Sequence, residues 1–118
     1  MNEKELKERT KRFVLRVMKL VAALPRAVPS RTIAQQLMDS ASSVGANYRS
    51  ACRGRSKAEF VAKLGIVEEE ADESCFWLEL IIEGGLVKPP LVQPLLREAN
   101  ELTAIMTASR KSAAAKRG

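Results

Sequence analysis

Apolar residues return along this chain at alternating spacings of four and three. Leu6, Phe13, Val17, Leu20 and Leu24 form the first such line, with Thr10 in the remaining slot. That period places them on one helical face and predicts a helix from Lys4 to Leu24. Pro25 stops it, because the proline ring disfavours helical geometry in the residue before it. Pro25 to Pro29 then reads as an extended connector, with Ser30 as the N-cap of a second helix over 31–53. Its seam is Ala34, Leu37, Ala41, Val44, Tyr48 and Ala51, small enough in places to admit a neighbouring helix closely. Gly45 in mid-helix costs about 1 kcal/mol relative to alanine, which points to a close crossing or a bend.

Gly54 is expected to end this helix in a left-handed conformation. Ser56 caps the next one, and Glu59 three residues later completes a capping-box pattern. The third helix, 57–83, carries Phe60, Leu64, Val67, Ala71, Ser74, Leu78 and Ile81 on its seam. A second line of Val61, Gly65, Cys75 and Ile82, together with Trp77, widens its apolar face. A helix apolar on more than one side calls for contact with a neighbouring subunit as well as its own core. Gly84-Gly85 closes it. Pro89-Pro90 introduces a fourth helix over 91–109, with Leu95, Ala99, Leu102 and Met106 as its core line and Leu91, Leu96 and Ile105 alongside. Residues 110–118 read as a basic, disordered tail. Four amphipathic helices, short connectors and no strand pattern specify an all-α, antiparallel up-and-down four-helix bundle in one domain, 1–109.

Composition narrows the chemistry. Of 118 residues none is histidine, which removes imidazole as a base or metal ligand. Glu68, Glu69, Glu70, Asp72 and Glu73 could suggest a di-iron bundle, but that site needs Glu-x-x-His pairs, and helix two offers only Asp39. No catalytic constellation, nucleotide-binding glycine loop, metal site or cofactor is expected. Glu69 and Glu73 are placed instead as structural carboxylates that could hold Arg49 or Arg53 across the hairpin. Asn47, beside the seam, is expected to hydrogen-bond and fix helix register. Cys52 and Cys75 lack a Cys-x-x-Cys spacing and suit reduced thiols in a cytoplasmic protein. The charged opening residues do not resemble a signal peptide, and no apolar run is long enough for a bilayer.

The formal net charge is +6, and it is unevenly spread. Arg49, Arg53, Arg55, Lys57 and Lys63 crowd the corner between helices two and three. Lys7, Lys11, Arg12, Arg16 and Lys19 line helix one, whereas no cation occurs between Leu64 and Lys88. Segregated cations suit phosphate backbones, which bind them by counterion release without base reading. The expected contacts are Arg49, Arg53, Arg55 and Lys57, with Arg12, Arg16 and Lys19 secondary. The competing expectation is a non-enzymatic protein-interaction scaffold whose cations pair with the acidic run.

The stretches Ser43-Val44-Gly45-Ala46-Asn47 and Arg55-Ser56-Lys57-Ala58-Glu59-Phe60, followed by Gly65 to Glu73 and Phe76 to Leu80, resemble the four-helix-bundle family encoded in intervening sequences of bacterial 23S rRNA genes. That family is related to the accessory variability protein of diversity-generating retroelements. The resemblance implies an up-and-down four-helix protomer, a ring-shaped homopentamer, and a basic assembly that binds RNA or DNA. It also implies, through the retroelement relative, a reverse transcriptase as a possible protein partner. It carries over no catalytic residue.

Overall fold

The computed structural model describes residues 1–116. It contains four α-helices: α1 (Glu3–Ala23), α2 (Ser30–Cys52), α3 (Lys57–Glu83) and α4 (Gln93–Ala115). A 3-10 turn, Pro89–Leu91, precedes α4. No strand occurs among the described residues, and none of the helices is long and apolar enough to cross a membrane. Side-chain pairings fix the directions. Ser40 meets Ser74, Glu68 meets Arg110, and Arg9 meets Glu98. Each helix therefore runs antiparallel to its neighbours. α2 packs extensively on α3 and α3 on α4, while α1 lies on α2 and meets α4 along a thinner seam. The result is a rod of 51 × 20 × 19 Å.

The core follows the seams expected from periodicity, except that Ala34 and Phe60 are only partly buried. Phe13, Val17, Leu37, Val44, Leu64, Val67, Leu78, Ile81, Leu102 and Met106 are fully buried. Thr10 takes its seam slot by donating its hydroxyl to the Leu6 carbonyl at 2.8 Å. Gly45 marks a close crossing: a Cβ there would stand 3.0 Å from Val14 Cγ2. α1 ends at Ala23 because Leu24, ahead of Pro25, is extended.

The helix ends depart from the sequence expectations in informative ways. α1 starts at Glu3, one residue early, because Asn2 and Glu5 form a reciprocal capping box. Ser30 does not cap α2; it is the first helical residue and is buried, and Pro29 holds the cap position without a side-chain bond. Gly54 is not left-handed. Among the described residues the only one with positive φ is Gly85, at 65°. There Leu86 N–H bonds the Ile81 carbonyl and Gly85 N–H the Ile82 carbonyl, the paired bonds of a Schellman motif closing α3. Leu91 is exposed in the 3-10 turn, and Val92 is buried in its place. α4 continues to Ala115, past the expected end at 109. Arg110 is tied to Glu68 at 2.6 Å, and the Ala113–Ala115 run favours helix. Of the expected tail, 117–118 lie outside the described residues.

Candidate nucleic-acid interface

The α2–α3 corner is built by backbone economy. Arg53 and Gly54 N–H groups bond back to the Ser50 and Ala51 carbonyls. A Cβ on Gly54 would lie 3.1 Å from the Ala51 carbonyl oxygen, so this position needs glycine for closeness, not for handedness. Ser56 is extended and its Oγ accepts the Glu59 N–H at 3.1 Å. The expected reciprocal bond goes elsewhere: the Arg55 N–H donates to Glu59 Oε2 at 2.7 Å. The one carboxylate of the corner is thus held by backbone.

This tight corner turns Arg49, Arg53, Arg55 and Lys63 toward a shared groove of about 580 Å³, with Ala46, Ala62 and Ile66 along it. A second groove of about 600 Å³ opens on the other flank of α2. Lys7, Lys11, Leu15 and Gly45 border it, and Arg49 and Arg53 border both. These two arginines therefore stand on a ridge between two troughs, each lined by several cations and one carboxylate, Glu59 in the first and Glu8 in the second.

The seven expected contacts do not form one surface. Arg49, Arg53 and Arg55 come together. Lys57 instead lines a separate groove at the end of the rod, with Glu3, Phe60 and Lys116. Arg16 faces α4 beside Arg97, Glu98 and Glu101. Arg12 and Lys19 are exposed, and their spacing of seven puts them on one outward stripe of α1. The residues of α1 that reach the arginine ridge are Lys7 and Lys11. Their signal in the sequence was their side of the helix: with Val14 they occupy the flank that α1 turns toward α2.

The acidic run does not neutralise this ridge. Among the described residues, the ion pairs are Arg9 with Glu98 and Glu101, and Arg110 with Glu68. None involves Arg49 or Arg53, contrary to the expected role of Glu69 and Glu73. The register explains it. With Ser40 opposite Ser74, Glu69 and Glu73 lie about one turn or more beyond the arginines along the hairpin. Glu73 accepts from Trp77 Nε1 at 3.3 Å instead. Asn47 bonds within its own helix, to the Ser43 carbonyl and hydroxyl at 3.0 and 2.8 Å; it does not bridge helices. The ion-pair residues that periodicity overlooked are Arg9, next to the α1 seam, and Arg110, assigned to the tail. Arg110, then the Thr107 hydroxyl, lower the Glu68 pKa from its ordinary value. Burial, then neighbouring Glu73, Glu69 and Asp39, raise that of Glu70. No group of three or more Cys, Asp and Glu side chains suited to a metal ion occurs among the described residues. Both cysteines are free, Cys75 buried and Cys52 partly so.

The fold has a solved counterpart. A protein of unknown function from the S23 ribosomal protein family of Bacteroides thetaiotaomicron VPI-5482 superposes with a TM-score of 0.81 at 26% identity, over 94% of this chain and 99% of that one. No curated protein matches the chain. The family model described as 23S rRNA-intervening sequence protein matches residues 2–108. Nearly the whole bundle, corner included, falls within that match, and the chain belongs to the 23S rRNA-intervening sequence protein family.

Proposed function

We propose that this protein is a non-enzymatic, self-associating helical bundle that binds nucleic acid through phosphate contacts at the α2–α3 corner. The observation that carries this reading is the convergence of Arg49, Arg53, Arg55 and Lys63 on one groove whose single carboxylate, Glu59, makes no ion pair among the described residues. Phosphate oxygens fit such a surface because Arg presents a planar fork and Lys a point charge. With no aromatic side chain lining the groove, backbone contact is favoured over base stacking. Membership in a family named for sequences within 23S rRNA makes an RNA duplex the first probe. The homopentameric ring implied by the sequence resemblance is part of the proposal, supported by large apolar side chains left exposed on α1 and α3.

The test is fluorescence anisotropy of a labelled RNA duplex titrated at several salt concentrations. Log affinity should fall linearly with log salt, at about −0.9 per phosphate neutralised. The double reversal Arg53→Glu/Arg55→Glu should weaken binding irrespective of sequence and flatten that slope by roughly two contacts. A flat slope in the native protein, or an unchanged one in the double variant, rejects the corner as the binding surface. Retention of a protein partner after nuclease treatment would favour the scaffold reading, to which exposed Phe76 lends some support.

A further inference from the structure

Two faces of the rod carry large apolar side chains that nothing in the chain covers, and their charges are opposite. On α1, Leu15 and Met18 are each 51% exposed. Lys11, Arg12 and Lys19 stand exposed around them, with Glu8 the acid beside them, and the α1–α2 groove with Val14, Gly45 and Ala46 along it opens alongside. On α3, Phe76 is 51% exposed, its ring edge-on to Trp77 at 5.0 Å between centroids. Glu69, Asp72, Glu73 and Glu79 surround that pair, exposed and without an ion-pair partner among the described residues. α1 and α3 occupy diagonal corners, each flanked by α2 and α4. Their outward faces therefore point in opposite directions.

We propose that the acidic, aromatic face of α3 docks onto the basic, apolar face of α1 in a second copy of the chain. Phe76 enters the groove beside Leu15, and Glu69, Glu73 and Glu79 lie opposite Lys11, Arg12 and Lys19. The inference rests on the self-association proposed above and deepens it by naming both surfaces. A second copy is the fitting occupant because each chain carries both halves of the complement. The same contact accounts for the uncovered apolar side chains and for the unpaired charges on both helices. The contact is heterologous: two copies cannot satisfy both faces at once, so association continues until rotation closes a ring. Arg49 and Arg53 border the docking groove, whereas Arg55 and Lys63 lie outside it, on the other flank of α2.

Complementary surface variants test this. Leu15→Asp removes the α1 face and Phe76→Asp the α3 face; both sites are half-exposed, and circular dichroism should show native helix content. Light scattering at tens of micromolar should give an oligomer for the native chain and a monomer for each variant alone. Mixed in equal amounts, the two variants should form a one-to-one dimer and nothing larger, because one intact face remains on each. Variants that still assemble as the native chain does, or a mixture that stays monomeric, would overturn the named interface while leaving self-association intact. A monomeric native chain would overturn both.

Discussion

At the residue scale the core holds a pair of hydroxyls that meet across two helices. Ser40 and Ser74 are buried, with their Oγ atoms 2.8 Å apart. Each also lies within reach of a carbonyl of its own helix, Leu37 for Ser40 and Glu70 for Ser74. Two hydroxyls have two protons for three such contacts, so one serine donates to its partner and the other to its own helix. Removing either hydroxyl leaves the survivor a carbonyl to donate to, so each single alanine variant should cost no more than about 0.5–1.5 kcal/mol. The native pair makes two bonds, either single variant keeps one, and the double variant keeps none. Ser40→Ala/Ser74→Ala should therefore cost the two singles added, within about 0.3 kcal/mol. A double variant cheaper than that sum by about 1 kcal/mol in urea titrations would show that a surviving hydroxyl fails to turn to its own carbonyl. The gain in helix propensity on Ser→Ala enters the single and double variants alike and cancels. Periodicity placed Ser74 on the α3 seam but could not supply its partner, because Ser40 sits one position off the α2 line.

At the element scale, α3 was the easiest helix to read and the hardest to interpret. Its seam and its Ser56 start are visible in spacing and cap chemistry alone. Which carboxylate pairs with what was not visible, because that depends on the register of α2 and α4 against it. The outcome is a division within one acidic run. Glu68 reaches Arg110 and Thr107 on α4. Glu70 faces α2 near Asp39, among Glu69 and Glu73. The two should answer pH in opposite senses. Glu68 has a folded pKa below its unfolded value. Its stabilisation is fully present above the unfolded value, near pH 4.3, and is lost as pH falls through the folded one. Glu70 has a folded pKa above its unfolded value. Its charge penalises the fold above the folded value, and the penalty fades as pH falls through it. Glu68→Gln should be less stable than the native chain at pH 7, and Glu70→Gln more stable. Both differences should shrink toward zero on acidification, that of Glu70→Gln first. Thermal unfolding at stepped pH, followed by the single tryptophan, Trp77, reads both. A Glu70→Gln variant destabilised at pH 7 would mean that Glu70 has a partner cation in solution.

At the scale of the whole molecule, the four-helix plan was legible because heptad spacing, prolines and glycines repeat one message four times. The distribution of cations around the rod was not. Spacing assigns a residue to a side of its own helix, but only packing decides whether Lys11 or Arg12 meets Arg49. Charge along the rod was legible, and it has a consequence for binding. The last acids of α3 stand well away from the basic corner: Lys63 and Glu79 are about 24 Å apart at 1.5 Å per residue. That exceeds the screening length at physiological salt, about 8 Å, but falls within the 30 Å or so expected at 0.01 M. Glu79 and Glu83 should therefore oppose polyanion binding only when salt is low. Neutralising Glu79 and Glu83 to glutamine should tighten RNA binding several-fold near 0.01 M salt and leave it unchanged near 0.15 M. Arg53→Glu/Arg55→Glu should weaken it at both, since those groups would touch phosphate, where screening is least. Equal gains from the glutamine variant at both salts would place nucleic acid against the acidic half itself, and would move the binding surface away from the corner.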